Sequence, residues 1–214
     1  MEMIPAHISN YQAGRNAPIT YLVVHYTGNP NDTARNNCKY FQSANRKASA
    51  HFFVDEREIV QSVAVDDTAW AVGDGNGKYG ITNSNSLSIE MCNFLAWNDA
   101  VVNRTIPLIR ELRAKYNIPI ERVVRHYDAS RKLCPKPLVS DNEWQKFKSK
   151  ITESEESEMI YNYIDDNMPS WAKPTIQKLH DRGLLKGNEH GELGLNDTML
   201  RILVILDRTG VFDK

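Results

Sequence analysis

The chain has 214 residues, 41% of them hydrophobic and 25% charged, a balance ordinary for a globular protein with a core to bury. Its formal net charge of −1 supplies no basic field of the kind that drives nucleic-acid binding, so neither DNA nor RNA is an expected partner. No apolar run approaches the roughly 20 residues that span a bilayer, and Met1 to Asn16 lacks a basic segment followed by an apolar stretch. Membrane insertion and signal-directed export are therefore not expected, and three cysteines, Cys38, Cys92 and Cys134, are too few and too odd a set for a disulfide framework.

Along the chain, Ile19 to Tyr26 is a β-rich, nearly continuous apolar run, the pattern of a strand covered on both faces. Asp32 offers an N-cap, and Ala34, Cys38 and Phe41 recur at helical spacing until the polar stretch Ser43 to Lys47. His51–Val54 and Ile59–Val63, separated by a charged turn, predict a hairpin. Trp70 and the loop VGDGNGKYG follow, then a strand over Leu87 to Cys92. Val101 to Tyr116 predicts a helix that Pro107 should kink or divide. Val123 to His126 predicts a further strand, and the region around Trp144 to Ile151 a closing helix.

Strands separated by single helices point to an α/β fold, with a mixed central sheet and helices on both sides, over residues 1–151. The run 152–158, TESEESE, carries four acidic groups and no apolar anchor, and is expected to be a solvated linker unless it extends the preceding helix. Residues 159–214 predict a small, mainly helical domain. Trp171, Ile176 and Leu179 share a helical face ending at Gly183, and Met199 to Arg208 forms a second helix behind the Asn196–Asp197 cap signal. So small a core is marginal alone and invites docking or self-association.

Three side chains are suited to a borderline metal: His25 and His126 at strand ends, and Cys134 in the loop after the second. Two imidazoles and a thiolate leave a fourth position for water, the pattern of catalytic zinc, although a strand-end histidine also serves as a hydrogen-bonded core residue. Glu90 lies between Ile89 and Met91 in an apolar strand, where an unpaired carboxylate is costly. Either an arginine such as Arg125 pairs with it, or it is a general base. Lys132, two residues before Cys134, is placed to meet an oxyanion, or is merely solvated. A cysteine hydrolase with Cys134 as nucleophile and His126 as base is a further reading.

Together VVHYTG, SAHFFVDE, AWAVGDGNG, SIEMCN, and NIPIERVVRH followed by KLCP resemble the type 2 N-acetylmuramoyl-L-alanine amidases, the family of many phage endolysins and of peptidoglycan recognition proteins. The resemblance covers most of Ile19 to Ile151. It implies zinc on His25, His126 and Cys134, Glu90 and Lys132 as catalytic residues, and His51 and Trp70 as substrate-groove residues, Trp70 being equally suited to the core. The reaction it implies is cleavage, by a zinc-activated water, of the amide between N-acetylmuramic acid and L-alanine in peptidoglycan. Other branches carry a catalytic tyrosine before the histidine equivalent to His51; here Ala50 stands there, which places more of the proton handling on Glu90. A non-catalytic peptidoglycan-binding protein is the alternative, disfavoured by the presence of Cys134.

WAKPTIQKLHDRGLLKG and MLRILVILDR are similar to one S-layer-homology-like repeat, which implies a secondary wall polymer as ligand, with homodimerisation the competing role. The resulting expectation is an endolysin of a phage with a Gram-positive host, made in the host cytoplasm without a signal peptide and acting on the cell wall after release, with cell lysis as the outcome.

Overall fold

A computed structural model describes residues 1–153 and 159–213, and the chain forms two compact units, Met1–Glu153 and Ser154–Lys214. Most of the expected acidic linker, residues 154–158, lies outside the described residues.

In chain order the first unit contains β1 (Glu2–Met3), β2 (Tyr11–Gln12), β3 (Tyr21–Tyr26), α1 (Ala34–Phe41), β4 (Phe52–Val54), β5 (Ile59–Gln61), β6 (Thr68–Ala69), β7 (Ser86–Met91), α2 (Asp99–Tyr116), β8 (Val123–Arg125), α3 (His126–Ser130) and α4 (Asp141–Thr152). Six strands form one mixed sheet in the order β1-β5-β4-β7-β3-β8, and β2 pairs with β6. The neighbours β4, β7, β3 and β8 run parallel, and β5 returns antiparallel to β4 as the expected hairpin. Helices cover both faces, as the alternation of elements predicts.

The period-2 alternation of strand side chains divides the sheet's residues between two environments. Leu22, Val24, Phe52, Val54, Leu87, Ile89 and Met91 pack in one cluster with the apolar face of α2 and with Trp144 and Phe147 of α4. Each of these large side chains contributes roughly 1.5–3 kcal/mol by leaving water. The intervening residues Val23, His25, Phe53 and Glu90 point to the opposite face, where α1, α3 and the long loops pack. Register aligns them, since His25 and Phe53 are both Cα partners of Glu90 on the strand between them.

Local detail departs from the sequence pattern in three places. Thr33, not Asp32, caps α1, accepting from Asn36 N at 3.1 Å. Asp32 is already occupied, accepting from the Asn93 amide and from Asn37 Nδ2, which ties α1 to the loop after β7. Helix α2 runs undivided through Pro107. The ring sits on the exposed side of the helix, where water can satisfy the carbonyl it orphans, while Thr105, Ile106, Leu108 and Ile109 hold the other side in the core. His126 is the first residue of α3 rather than the last of β8.

The second unit holds α5 (Lys173–Asp181) and α6 (Asp197–Arg208), with an antiparallel bridge between Tyr161 and Leu195. Its core is Tyr161, Met168, Ala172, Ile176, Leu195, Leu200 and Val204. Asp207 joins the helices, accepting from Thr175 Oγ1 and Lys178 Nζ, both at 2.8 Å. Trp171 does not share the face of Ile176 and Leu179: it precedes α5 and is 40% exposed, with the Arg201 guanidinium 5.3 Å from its ring centre. No helix among the described residues is long and apolar enough to cross a membrane.

Candidate metal centre and active site

Parallel strands bring their C-terminal ends to one edge, where ligand sites of open α/β sheets form. Here that edge carries His25, next to last in β3, Glu90, next to last in β7, and His126, immediately after β8. Cys134 joins them from the loop after α3, its carbonyl accepting from Tyr127 N and its own N–H donating to the Lys132 carbonyl. His25, His126 and Cys134 are all buried, and their potential ligand atoms lie within 4.8 Å of one another. His25 Nδ1 is 3.9 Å from Cys134 Sγ and 3.8 Å from Glu90 Oε1. Nitrogen and sulfur ligands around one tetrahedral zinc stand roughly 3.3–3.6 Å apart, so the donor set and its grouping suit zinc once the three atoms draw together around it.

The electrostatics agree with that fit. Burial, reinforced by His126 and Lys132, holds the His25 pKa well below its ordinary value; burial also lowers that of His126, against the opposing pull of Asp74, and both shifts favour the neutral imidazole that binds metal. Burial pushes the Cys134 thiol up to about 12, with Glu90 adding to the shift, so only a cation would make this sulfur a thiolate. That is unfavourable to the cysteine-nucleophile reading, which needs an activated thiol. Burial raises Glu90 to about 7, Lys132 opposing and Asp32 adding to the rise. Four buried side-chain polar atoms among the described residues have no partner, and three of them, His25 Nε2, Thr27 Oγ1 and Glu90 Oε2, belong to residues lining this site. Such clustering marks a place completed by a ligand.

A cavity of about 320 Å³ opens over the cluster, with Trp70, Ala50, Lys132 and Leu133 in its wall. A second, of about 450 Å³, lies along Asn36, Asn37 and Tyr40 of α1 and shares Glu90 and Lys132 with the first. Lys132 is exposed at this junction. Trp70 is half-buried and lines the first cavity. His51 is not among the residues lining either cavity: it is 1% exposed, its Nε2 lies 2.7 Å from Arg15 Nη2, and its Nδ1 lies 2.9 Å from Ser88 Oγ. Arg125 does not pair with Glu90. Its guanidinium bonds Asp128 and Asp141 and the carbonyls of Leu138 and Val139 instead.

Two residues at the site escaped the sequence reading. Tyr26 lines both cavities, and Asp74 Oδ1 lies 2.8 Å from His126 Nε2. Asp74 lay in the Gly-rich stretch after Trp70, but nothing in the sequence ties that loop to His126, 52 residues away.

Comparison with known proteins agrees with this geometry. The sequence profile of the N-acetylmuramoyl-L-alanine amidase family (Amidase_2) matches residues 15–137. N-acetylmuramoyl-L-alanine amidase BlyA of Bacillus subtilis strain 168 is 38% identical over 141 residues, which cover 58% of this chain and 38% of BlyA. The chain thus spans well under half of BlyA's length. The structure of the catalytic domain of XlyA superposes with a TM-score of 0.62 at 30% identity, covering 70% of this chain and 97% of that domain. A mutant endolysin from Bacillus subtilis gives the same TM-score, identity and coverage. The chain belongs to the N-acetylmuramoyl-L-alanine amidase family.

Proposed function

We propose that the Met1–Glu153 unit is a zinc-dependent peptidoglycan hydrolase that cleaves the amide between the lactyl group of N-acetylmuramic acid and L-alanine. The observation that carries this reading is the meeting of His25, His126, Cys134 and Glu90 beneath a cavity, with Lys132 at its rim. The names of BlyA and of the endolysin structure support the substrate and the lytic setting.

His25, His126 and Cys134 would hold the zinc, which would supply Lewis acidity to the substrate carbonyl and to a water. Glu90, with 20% of its side chain open to the cavity, takes the proton of the attacking water and returns it to the departing L-alanine amine. Lys132 sets its ammonium against the oxygen that becomes negative as the carbonyl carbon turns tetrahedral. Trp70 offers apolar area to the sugar or peptide, and Ala50 leaves space beside it. His51 supports the wall from behind through Arg15 and Ser88.

The second unit is read as the wall-contacting part, in the manner of an S-layer-homology-like repeat with a secondary wall polymer as ligand. A second reading, self-association into a homodimer, is favoured by one observation: Met199, Ile202 and Ile205, three residues apart along α6, are all exposed on the side away from Leu200 and Val204. The setting proposed is phage endolysis of a Gram-positive host, with the enzyme made in the cytoplasm and acting on the wall after release.

Purified Gram-positive walls test the reaction. New L-alanine amino termini without new reducing sugars, lost on chelation and restored by zinc, are expected; reducing ends would mean glycosidase chemistry and overturn the reading. Glu90→Ala should retain zinc and lose about 100-fold or more in rate, as loss of a general base does, whereas His25→Ala should lose the metal itself.

A further inference from the structure

The two imidazoles of the cluster are held differently. His25 lies in β3, paired with Glu90 of β7, so the sheet sets its direction, and its Nε2 has no partner. His126 opens a helix of five residues and has no sheet partner of its own. Its ring is met instead by Asp74, whose Oδ1 lies 2.8 Å from Nε2. The other carboxylate oxygen, Oδ2, accepts from Ser130 Oγ at 3.3 Å, so Asp74 bridges the first and last residues of α3.

The loop that carries Asp74 is built to press against that helix. A Cβ on Gly75 would stand 2.3 Å from the Ala129 carbonyl oxygen, a distance no side chain tolerates, so the backbone of the turn packs directly on the backbone of α3. Asn83 Oδ1 holds the approach to the turn, accepting from Ala71 N at 3.0 Å and Val72 N at 2.8 Å. Asn76 leaves it in the left-handed region, at φ 47°.

We infer that Asp74 is the positioning residue of the metal centre: its carboxylate accepts the Nε2 proton of His126, fixes the ring's direction beside His25, and leaves Nδ1 as the unprotonated nitrogen. A neutral imidazole carries one N–H, so committing Nε2 as donor makes Nδ1 the nitrogen available to a metal. Carboxylates behind ligand histidines act in this way at zinc centres, and their loss typically weakens metal affinity about 10–100-fold. Asp74 touches neither the reacting atoms nor the metal; it acts through His126. The inference rests on the zinc reading of the cluster.

The test is zinc affinity of the full chain, by competition with a chromophoric chelator, for the wild type, Asp74→Ala, Asp74→Asn and Ser130→Ala. Asp74→Ala should raise the zinc dissociation constant about 10–100-fold, Asp74→Asn by less, since its amide oxygen still accepts, and Ser130→Ala should change it little. The Asp74 side chain is 46% exposed, so the metal-free melting temperature should fall only slightly, while the melting temperature gained on adding zinc shrinks. Cobalt substitution adds a readout that a merely structural role would not alter, because the visible ligand-field bands report the ligand atoms. Wild-type zinc affinity and an unchanged cobalt spectrum in Asp74→Ala would overturn the positioning role and leave the zinc reading standing. A wild type that binds no zinc would overturn both.

Discussion

Glu90 shows how strand alternation can make one residue costly to the fold. Its strand neighbours Ile89 and Met91 point into the core, and alternation turns Glu90 to the other face, where Oε2 is buried without a partner. Burial lifts its pKa to about 7, well above the ordinary value near 4.5, so the folded protein holds this proton more tightly than the unfolded chain. Between those two values the native state binds more protons than the unfolded state, and stability falls as pH rises. Metal-free Glu90→Gln should therefore match the wild type near pH 4.5 and exceed it by up to about 3 kcal/mol at pH 8. Urea melts of the two proteins at both pH values check this; a difference independent of pH would mean that the carboxylate is not held as described.

At the scale of elements, helix α2 carries a residue its own backbone disfavours. Pro107 removes one hydrogen bond, yet Asn98 caps the start, accepting from Ala100 N and Val101 N, and Asn117 closes the end in the left-handed region at φ 51°. Seven buried side chains between those caps outweigh the interior proline. Because the ring is exposed, Pro107→Ala should stabilise the protein by about 1–2 kcal/mol, the restored helical bond offset by a freer unfolded chain. Thermal melting reads the outcome, and a lower melting temperature would show that the proline holds a contact the helix needs.

For the whole molecule, the end of the first unit lies beyond α4 rather than within it. Ile151 is fully buried, and the carbonyls of Lys150 and Ile151 accept from the Arg110 guanidinium. A truncation that tests the second unit must spare these residues. Ending the chain after Glu153 should leave zinc binding intact, lower retention on sedimented Gram-positive walls several-fold, and leave a monomer's mass. If wall retention is unchanged and the native mass halves, the unit serves self-association through faces such as Met199, Ile202 and Ile205 instead of targeting.

Much was legible in the residues alone, because strands and helices announce themselves by period and by the side chains that bound them. The apolar run at β3, the hairpin around Asp55 and the helix at Trp144 each appeared close to where local pattern put them. The candidate ligands were visible too, since histidines at strand ends, a cysteine in the loop that follows and a carboxylate in an apolar strand stand out against their surroundings. What the sequence could not decide was contact across the fold. That Arg125 reaches Asp141, that His51 turns to Arg15 and lines neither cavity, and that Asp74 meets His126 all depend on loop closure between separated segments. Local periodicity carries no record of such closure; register between parallel strands and the backbone contact at Gly75 settle it, and only the tertiary structure contains them.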